Sequence, residues 1–110
     1  MIRVMIERKI KAGHEREFWE ILMNLRRNAL LLPGYVSGEW WVDESDSLHL
    51  IVFSTWQRLE EWLAWKQSPD RKIILATLEP LLAEPAIETV MIRPSGISEE
   101  AKIPWQAAVA

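Results

Sequence analysis

Trp40 and Trp41 are neighbours in a stretch, Tyr35 to Val42, that reads as a β-strand. Adjacent side chains on a strand point to opposite faces of the sheet, so one indole lies on each side. On strict alternation Val36, Gly38, Trp40 and Val42 share one face, and Tyr35, Ser37, Glu39 and Trp41 share the other. The next strand, Ser47 to Thr55, carries Leu48, Leu50 and Val52 on one face and His49, Ile51 and Phe53 on the other. An antiparallel sheet with one wet face alternates cleanly between apolar and polar residues. This one does not, so both faces need cover, and the chain's own helices supply only one. The second cover must come from something beyond the chain's own helices.

The remaining elements follow from periodicity and punctuation. Ile2 to Ile10 reads as a strand with Ile2, Val4 and Ile6 on one face and Arg3, Met5 and Glu7 on the other. Ala12-Gly13 breaks it. From His14 to about Leu31, Phe18, Leu22, Leu25 and Ala29 recur at the spacing of an amphipathic helix. Pro33-Gly34 stops that helix, because proline disfavours helix in the residue before it and glycine accepts a left-handed turn. Asp43 to Asp46 is a polar turn of hairpin length. Ser54 stands three residues before Gln57, a capping-box spacing that predicts a helix opening near Trp56 and running to Lys66, with Trp62 and Trp65 on one face. The alternative keeps Thr55 and Trp56 in the strand. Ser68-Pro69-Asp70 starts a further helix, Pro80 interrupts it, and Pro85 closes it. Ala86 to Ile92 is the last strand. The order β-α-β-β-α-β is the ferredoxin-like α+β arrangement.

Length allows one domain, placed at residues 1–93 and followed by a tail, 94–110, whose Ile97, Ile103 and Trp105 predict packing on the domain or on a partner subunit. The formal net charge is −3 with no basic block beyond Arg26-Arg27, which argues against a nucleic-acid partner. The chain has no cysteine, so disulfides, thiolate metal sites and cysteine nucleophiles are excluded. Neither a secretory signal nor a membrane span is visible, which makes a cytoplasmic location the expectation.

Three stretches taken together resemble the antibiotic biosynthesis monooxygenase (ABM) domain family of the dimeric α+β barrel superfamily. They are Lys11-Ala12-Gly13-His14-Glu15 with Phe18 behind it, then Leu32-Pro33-Gly34-Tyr35-Val36-Ser37-Gly38, and then Trp56 through Leu59, Trp62 and Trp65 to Ser68 with Arg71 following. The match spans about residues 1 to 92. The resemblance implies a homodimer in which two four-stranded sheets meet face to face as a barrel, which is the second cover that the strand patterns require. It also implies a small-molecule pocket between sheet and helices. The implied activity is oxidoreductase chemistry without cofactor: monooxygenation of a small aromatic or quinol-like compound without metal or flavin. A non-catalytic small-molecule-binding or structural barrel is the alternative.

By the same resemblance Trp65 matches a pocket-lining tryptophan; its other reading, and that of Trp62, is plain core. Trp40 faces either the pocket or the dimer seam. Glu7 is close to a first-strand position where haem-degrading relatives carry asparagine. It acts as a base if buried, since desolvation raises a carboxylate's proton affinity, or else pairs with Arg3 or Arg8. His49, mid-strand among apolar neighbours, is either a catalytic or a hydrogen-bonded structural histidine. His14 and His49 stand apart with no carboxylate at ligand spacing, which does not make a metal site. Haem-degrading relatives place an axial histidine where this chain has Leu75, and leucine cannot ligate iron, so haem degradation is not expected.

Overall fold

The computed structural model describes residues 1–94. Four strands, β1 (Ile2–Lys9), β2 (Tyr35–Asp43), β3 (Asp46–Trp56) and β4 (Ile87–Ile92), form one antiparallel sheet in the order β2-β3-β1-β4. Helices α1 (Glu15–Ala29), α2 (Leu59–Lys66) and α3 (Pro69–Leu78) complete it, with a short 3-10 turn at Glu79–Leu81. This is the ferredoxin-like α+β arrangement expected from the order of elements.

Sheet parity decides what is buried. Ile2, Val4, Ile6 and Arg8 of β1 all lie toward the helices and are at most 8% exposed. Their register partners on β3 are Trp56, Ser54, Val52 and Leu50. The α1 stripe meets them: Phe18, Leu22, Leu25 and Ala29 are all buried. Acidic residues in the first turn of α1 and Arg26-Arg27 in its last turn both complement the helix dipole. Arg3, Met5, Glu7 and Lys9 lie on the opposite side of β1, beside Thr55, Phe53, Ile51 and His49. That side also carries Trp41, 57% exposed, and Ile87, 56% exposed. The face that the chain's own helices leave open therefore mixes large apolar side chains with Arg3, Glu7, Lys9 and His49.

Two local expectations change. β3 continues through Trp56, and the residue capping α2 is Arg58, so the Ser54–Gln57 capping box does not form. Ser54 instead accepts a hydrogen bond from the Trp56 indole at 3.1 Å. The reason is burial: Trp56, 1% exposed, packs edge-on to Tyr35 and beside Trp62 only while it stays in the sheet. Second, a register shift between Tyr35 and Ser37 breaks the alternation of β2. Tyr35 pairs with Trp56 and joins Gly38 and Trp40 on the helix side, the face that strict alternation denied it.

The punctuation of α3 matches the sequence reading. The Ser68 hydroxyl accepts from the Arg71 backbone N–H at 3.1 Å, Pro69 begins the helix, and Pro80 converts its end to a 3-10 turn. Gly34 closes the α1–β2 connection at φ +85°, a conformation that side chains other than glycine adopt rarely. The tail packing expected for Ile97, Ile103 and Trp105 lies outside the described residues.

Candidate functional site

A cavity of about 60 Å³ opens between the helix-facing side of the sheet and the three helices. Its floor is β1 and β3, through Ile6, Arg8, Val52 and Ser54. Indoles wall it: Trp56 from the end of β3, Trp62 and Trp65 from α2, and Trp40 from β2. Trp62 and Trp65, three apart on α2, are 2% and 6% exposed, as neighbouring positions on one helix face require. Tyr35 enters through the β2 bulge, and Gly38 makes room for it: a Cβ at position 38 would meet the tyrosine hydroxyl. Arg26, Tyr35 and Trp40, half-buried members of the lining with large side chains, mark the mouth.

The polar content of this space is unusual. Arg8 and Arg71 are 3% and 6% exposed, and charged side chains are almost never buried to that extent unless paired. Neither forms an ion pair with a described residue. Burial is the main force pushing the Arg8 guanidinium down to about 10, and the like charge of Arg71 adds to it, against an upward pull from Glu79 and Glu88. Arg8 stays charged at neutral pH. Burial lowers Arg71 as well, opposed by Glu88 and Glu79. Aromatic faces hold the cations: Arg71 lies 5.1 Å from the Trp62 ring and Arg26 4.8 Å from the Trp40 ring. Trp19 in turn meets Trp40 edge-on at 5.5 Å. Burial raises the Tyr35 phenol, with Arg26 opposing the rise, so it stands as a neutral O–H.

Among the sequence candidates, Trp40, Trp62 and Trp65 all line the cavity, so for Trp40 the structure selects the cavity side of the sheet. Glu7 and His49 do not line it. Both occupy odd-numbered positions on their strands, and strand parity turns them to the open face of the sheet. There they meet each other: His49 Nε2 lies 3.2 Å from Glu7 Oε1, and Nδ1 lies 3.2 Å from Asp43 Oδ2. Glu7 therefore pairs with His49, and neither Arg3 nor Arg8 is its partner; Arg3 bonds Glu39 at 2.8 Å. Asp43 is itself held below the usual aspartate range, first by the Ser45 backbone N–H, then by the Ser45 hydroxyl and His49. Leu75 is half-buried on α3, beside Arg8 and Arg71 at a second cavity of about 120 Å³. Among the described residues no cluster of three potential metal ligands occurs, and no helix is long and apolar enough to cross a membrane.

The residues missed in sequence were the arginines and Tyr35. A signal existed for two of them. Arg8 continues the parity of Ile2, Val4 and Ile6, and Arg71 heads the series Leu75, Leu78, Leu82 at the inward spacing of α3.

Comparison with known proteins agrees with this fold. The chain is similar to a conserved protein from Methanosarcina mazei Go1, with TM-score 0.79 and 17% identity over 84% of this chain and 91% of that one. It is also similar to a putative antibiotic biosynthesis monooxygenase from Nitrosomonas europaea, with TM-score 0.77 and 14% identity over 86% and 99%. A third similar structure is SnoaB, a cofactor-independent oxygenase from Streptomyces nogalater, with TM-score 0.73 and 12% identity over 86% and 94%. No curated protein matches in sequence. At these identities the structures speak for the fold, whereas the family model for antibiotic biosynthesis monooxygenase matches residues 1–76 directly, and the chain belongs to that family.

Proposed function

We propose that this chain is a cofactor-independent monooxygenase that takes a small aromatic or quinol-like compound into the cavity between sheet and helices. The observation that carries this reading is the lining itself: indole walls around a small set of hydrogen-bond donors, in a cavity set between sheet and helices. Such chemistry needs a deprotonated substrate that gives an electron to dioxygen. The radical pair then joins as a peroxide, and loss of water leaves a new carbonyl, so that one oxygen atom stays in the product and the other leaves as water. The protein's part is to bind the ring, exclude bulk water and stabilise negative charge. Arg8, Arg71 and the Trp62 N–H are placed for the last of these. Tyr35, as a neutral phenol, is a proton donor at the mouth.

A second reading, a binding module without catalysis, is favoured by one specific feature. No carboxylate or histidine is among the described residues lining the cavity, so no ordinary general base faces it. Oxygen-electrode assays with single-ring, hydroquinone-type compounds separate the two. Oxygen uptake that falls at least tenfold in Trp65→Phe or Arg8→Met supports the enzyme. Saturable binding of the same compounds with no oxygen uptake supports the module.

The unit is a homodimer joined through the open sheet face. Support comes from the exposed apolar residues there, Trp41 and Ile87, with half-buried Ile51 and Phe53 between them. The Glu7–His49–Asp43 cluster sits on that same face and would be covered in the pair, where fully hydrogen-bonded polar groups fix register.

A further inference from the structure

We propose that the cavity recognises an oxyanion borne on a single aromatic ring, with the buried Arg8 and Arg71 guanidiniums as its direct partners. This deepens the reading above: it rests on the cavity as the binding site and is independent of oxygen chemistry.

Four polar atoms on residues of the cavity lining are buried without a hydrogen-bond partner among the described residues: Nε of Arg8, Arg26 and Arg71, and Nε1 of Trp62. All four are donors. A buried donor left unmade costs on the order of 1–3 kcal/mol, more when charged, so a native fold retains such groups when something else satisfies them. The complement of four donors is an acceptor-rich group, and a carboxylate or phenolate oxygen has the lone pairs to meet them.

Charge points the same way. Glu88 is the nearest natural counterion by register, since Ile6 pairs with Glu88 and Arg8 follows on the same face. Yet the Glu88 carboxylate is bonded to Lys66 at 2.7 Å. Arg8, Arg26 and Arg71 line the cavity with no carboxylate among its described lining residues, while Glu79 and Glu88 lie at the second cavity and Glu88 is taken by Lys66. A monoanion offsets part of that positive charge. The stacking of Arg71 on Trp62 orients the cation through its face and leaves its N–H edges for a ligand.

Size limits the ring system. A cavity of about 60 Å³ holds a few waters, at roughly 10–15 Å³ for each, while a protein cavity known to take up benzene measures about 150 Å³. One ring enters if the mouth residues Arg26 and Trp40 swing outward. A fused tricycle would require the buried indoles to move as well.

The test is isothermal titration of the full chain with benzoate and its neutral isostere benzamide, with 4-nitrophenolate as a second anion. Benzoate or 4-nitrophenolate should bind at least tenfold more tightly than benzamide, and whichever of the two is tighter identifies the oxyanion as carboxylate or phenolate. Arg8→Met and Arg71→Met should each weaken the anion by tenfold or more and leave benzamide within about twofold. The exposed control Arg16→Met should change neither. Anions that bind no better than benzamide to the wild-type chain overturn the proposal without reference to any variant. So does retention of full anion affinity by both arginine variants. Anion discrimination without oxygen uptake upholds this proposal and refutes the oxygenase, whereas oxygen uptake without discrimination does the reverse.

Discussion

Replacing Arg8 with methionine removes a buried charge and keeps most of the aliphatic stem that packs between β3 and α3. The guanidinium's fall to about 10 is about two and a half powers of ten in proton affinity. At about 1.4 kcal/mol per power of ten, the folded chain carries roughly 3 kcal/mol of unfavourable free energy at neutral pH in holding that cation. Loss of the guanidinium's own packing contacts offsets part of the relief, and replacements of buried ionic groups by apolar ones stabilise by about 1–4 kcal/mol when they succeed. A net gain of about 1–2 kcal/mol is expected for Arg8→Met, or about 5–10 °C in melting temperature for a domain of this size. Differential scanning calorimetry without ligand and at fixed protein concentration measures it, since a dimer's midpoint moves with concentration. The pH dependence supplies an internal check. The native value lies below the unfolded one, so the unfolded chain binds more protons as pH rises through about 10, and wild-type stability should gain on the variant there. A variant that melts several degrees lower than wild type would show that the fold itself satisfies this guanidinium, and the case for an unmet cation would fail.

Other perturbations follow from the same geometry. Trp41→Glu places a charge on the open sheet face and should shift the chain toward monomer in sedimentation velocity while leaving its circular dichroism unchanged. Gly34→Ala forces a Cβ into a φ of +85° and against the Glu61 carboxyl group, and a loss of about 1–3 kcal/mol is expected in urea unfolding. Trp62→Ala empties the centre of the indole cluster and should cost about 3–5 kcal/mol, read from the same unfolding curves. Asp43, held below the usual aspartate range, contributes stability that is present above that range and lost as pH falls through its lowered native value. Asp43→Asn should flatten that acid limb in a pH series of thermal melts.

Much of the architecture was legible because periodicity and punctuation agree with tertiary packing. The Phe18, Leu22, Leu25, Ala29 stripe is the buried face of α1, and Ser68-Pro69 caps α3 as its residue types require. The two-faced strands announced a sheet whose second side the helices do not cover. The start of α2 was misread because a local capping signal at Ser54 lost to the burial of Trp56, a tertiary effect no local pattern encodes. Two of the candidates lie away from the cavity for a different reason. Glu7 and His49 drew attention as titratable groups, but strand parity puts them on the open face, where they bond each other. Arg8 and Arg71 were passed over because arginine is exposed by default, although both occupy core positions of their elements. A charged residue at an inward position of an otherwise apolar strand or helix deserves the suspicion usually reserved for histidine.

The register shift between Tyr35 and Ser37 has an evolutionary corollary. Whether this chain presents a phenol to its cavity is decided by the length of one strand segment and not by the identity of the residue alone. Deleting Val36 would restore plain alternation and keep the tyrosine opposite Trp56 on the helix side, with Ser37 still on the open face. Relatives one residue shorter here would therefore need no bulge to keep the same phenol at the mouth, whereas a chain of this length without the bulge would turn it to the open face. The proton donor at the cavity mouth thus depends on backbone irregularity and residue count together, a dependence that residue-by-residue comparison would score as a gap in a loop.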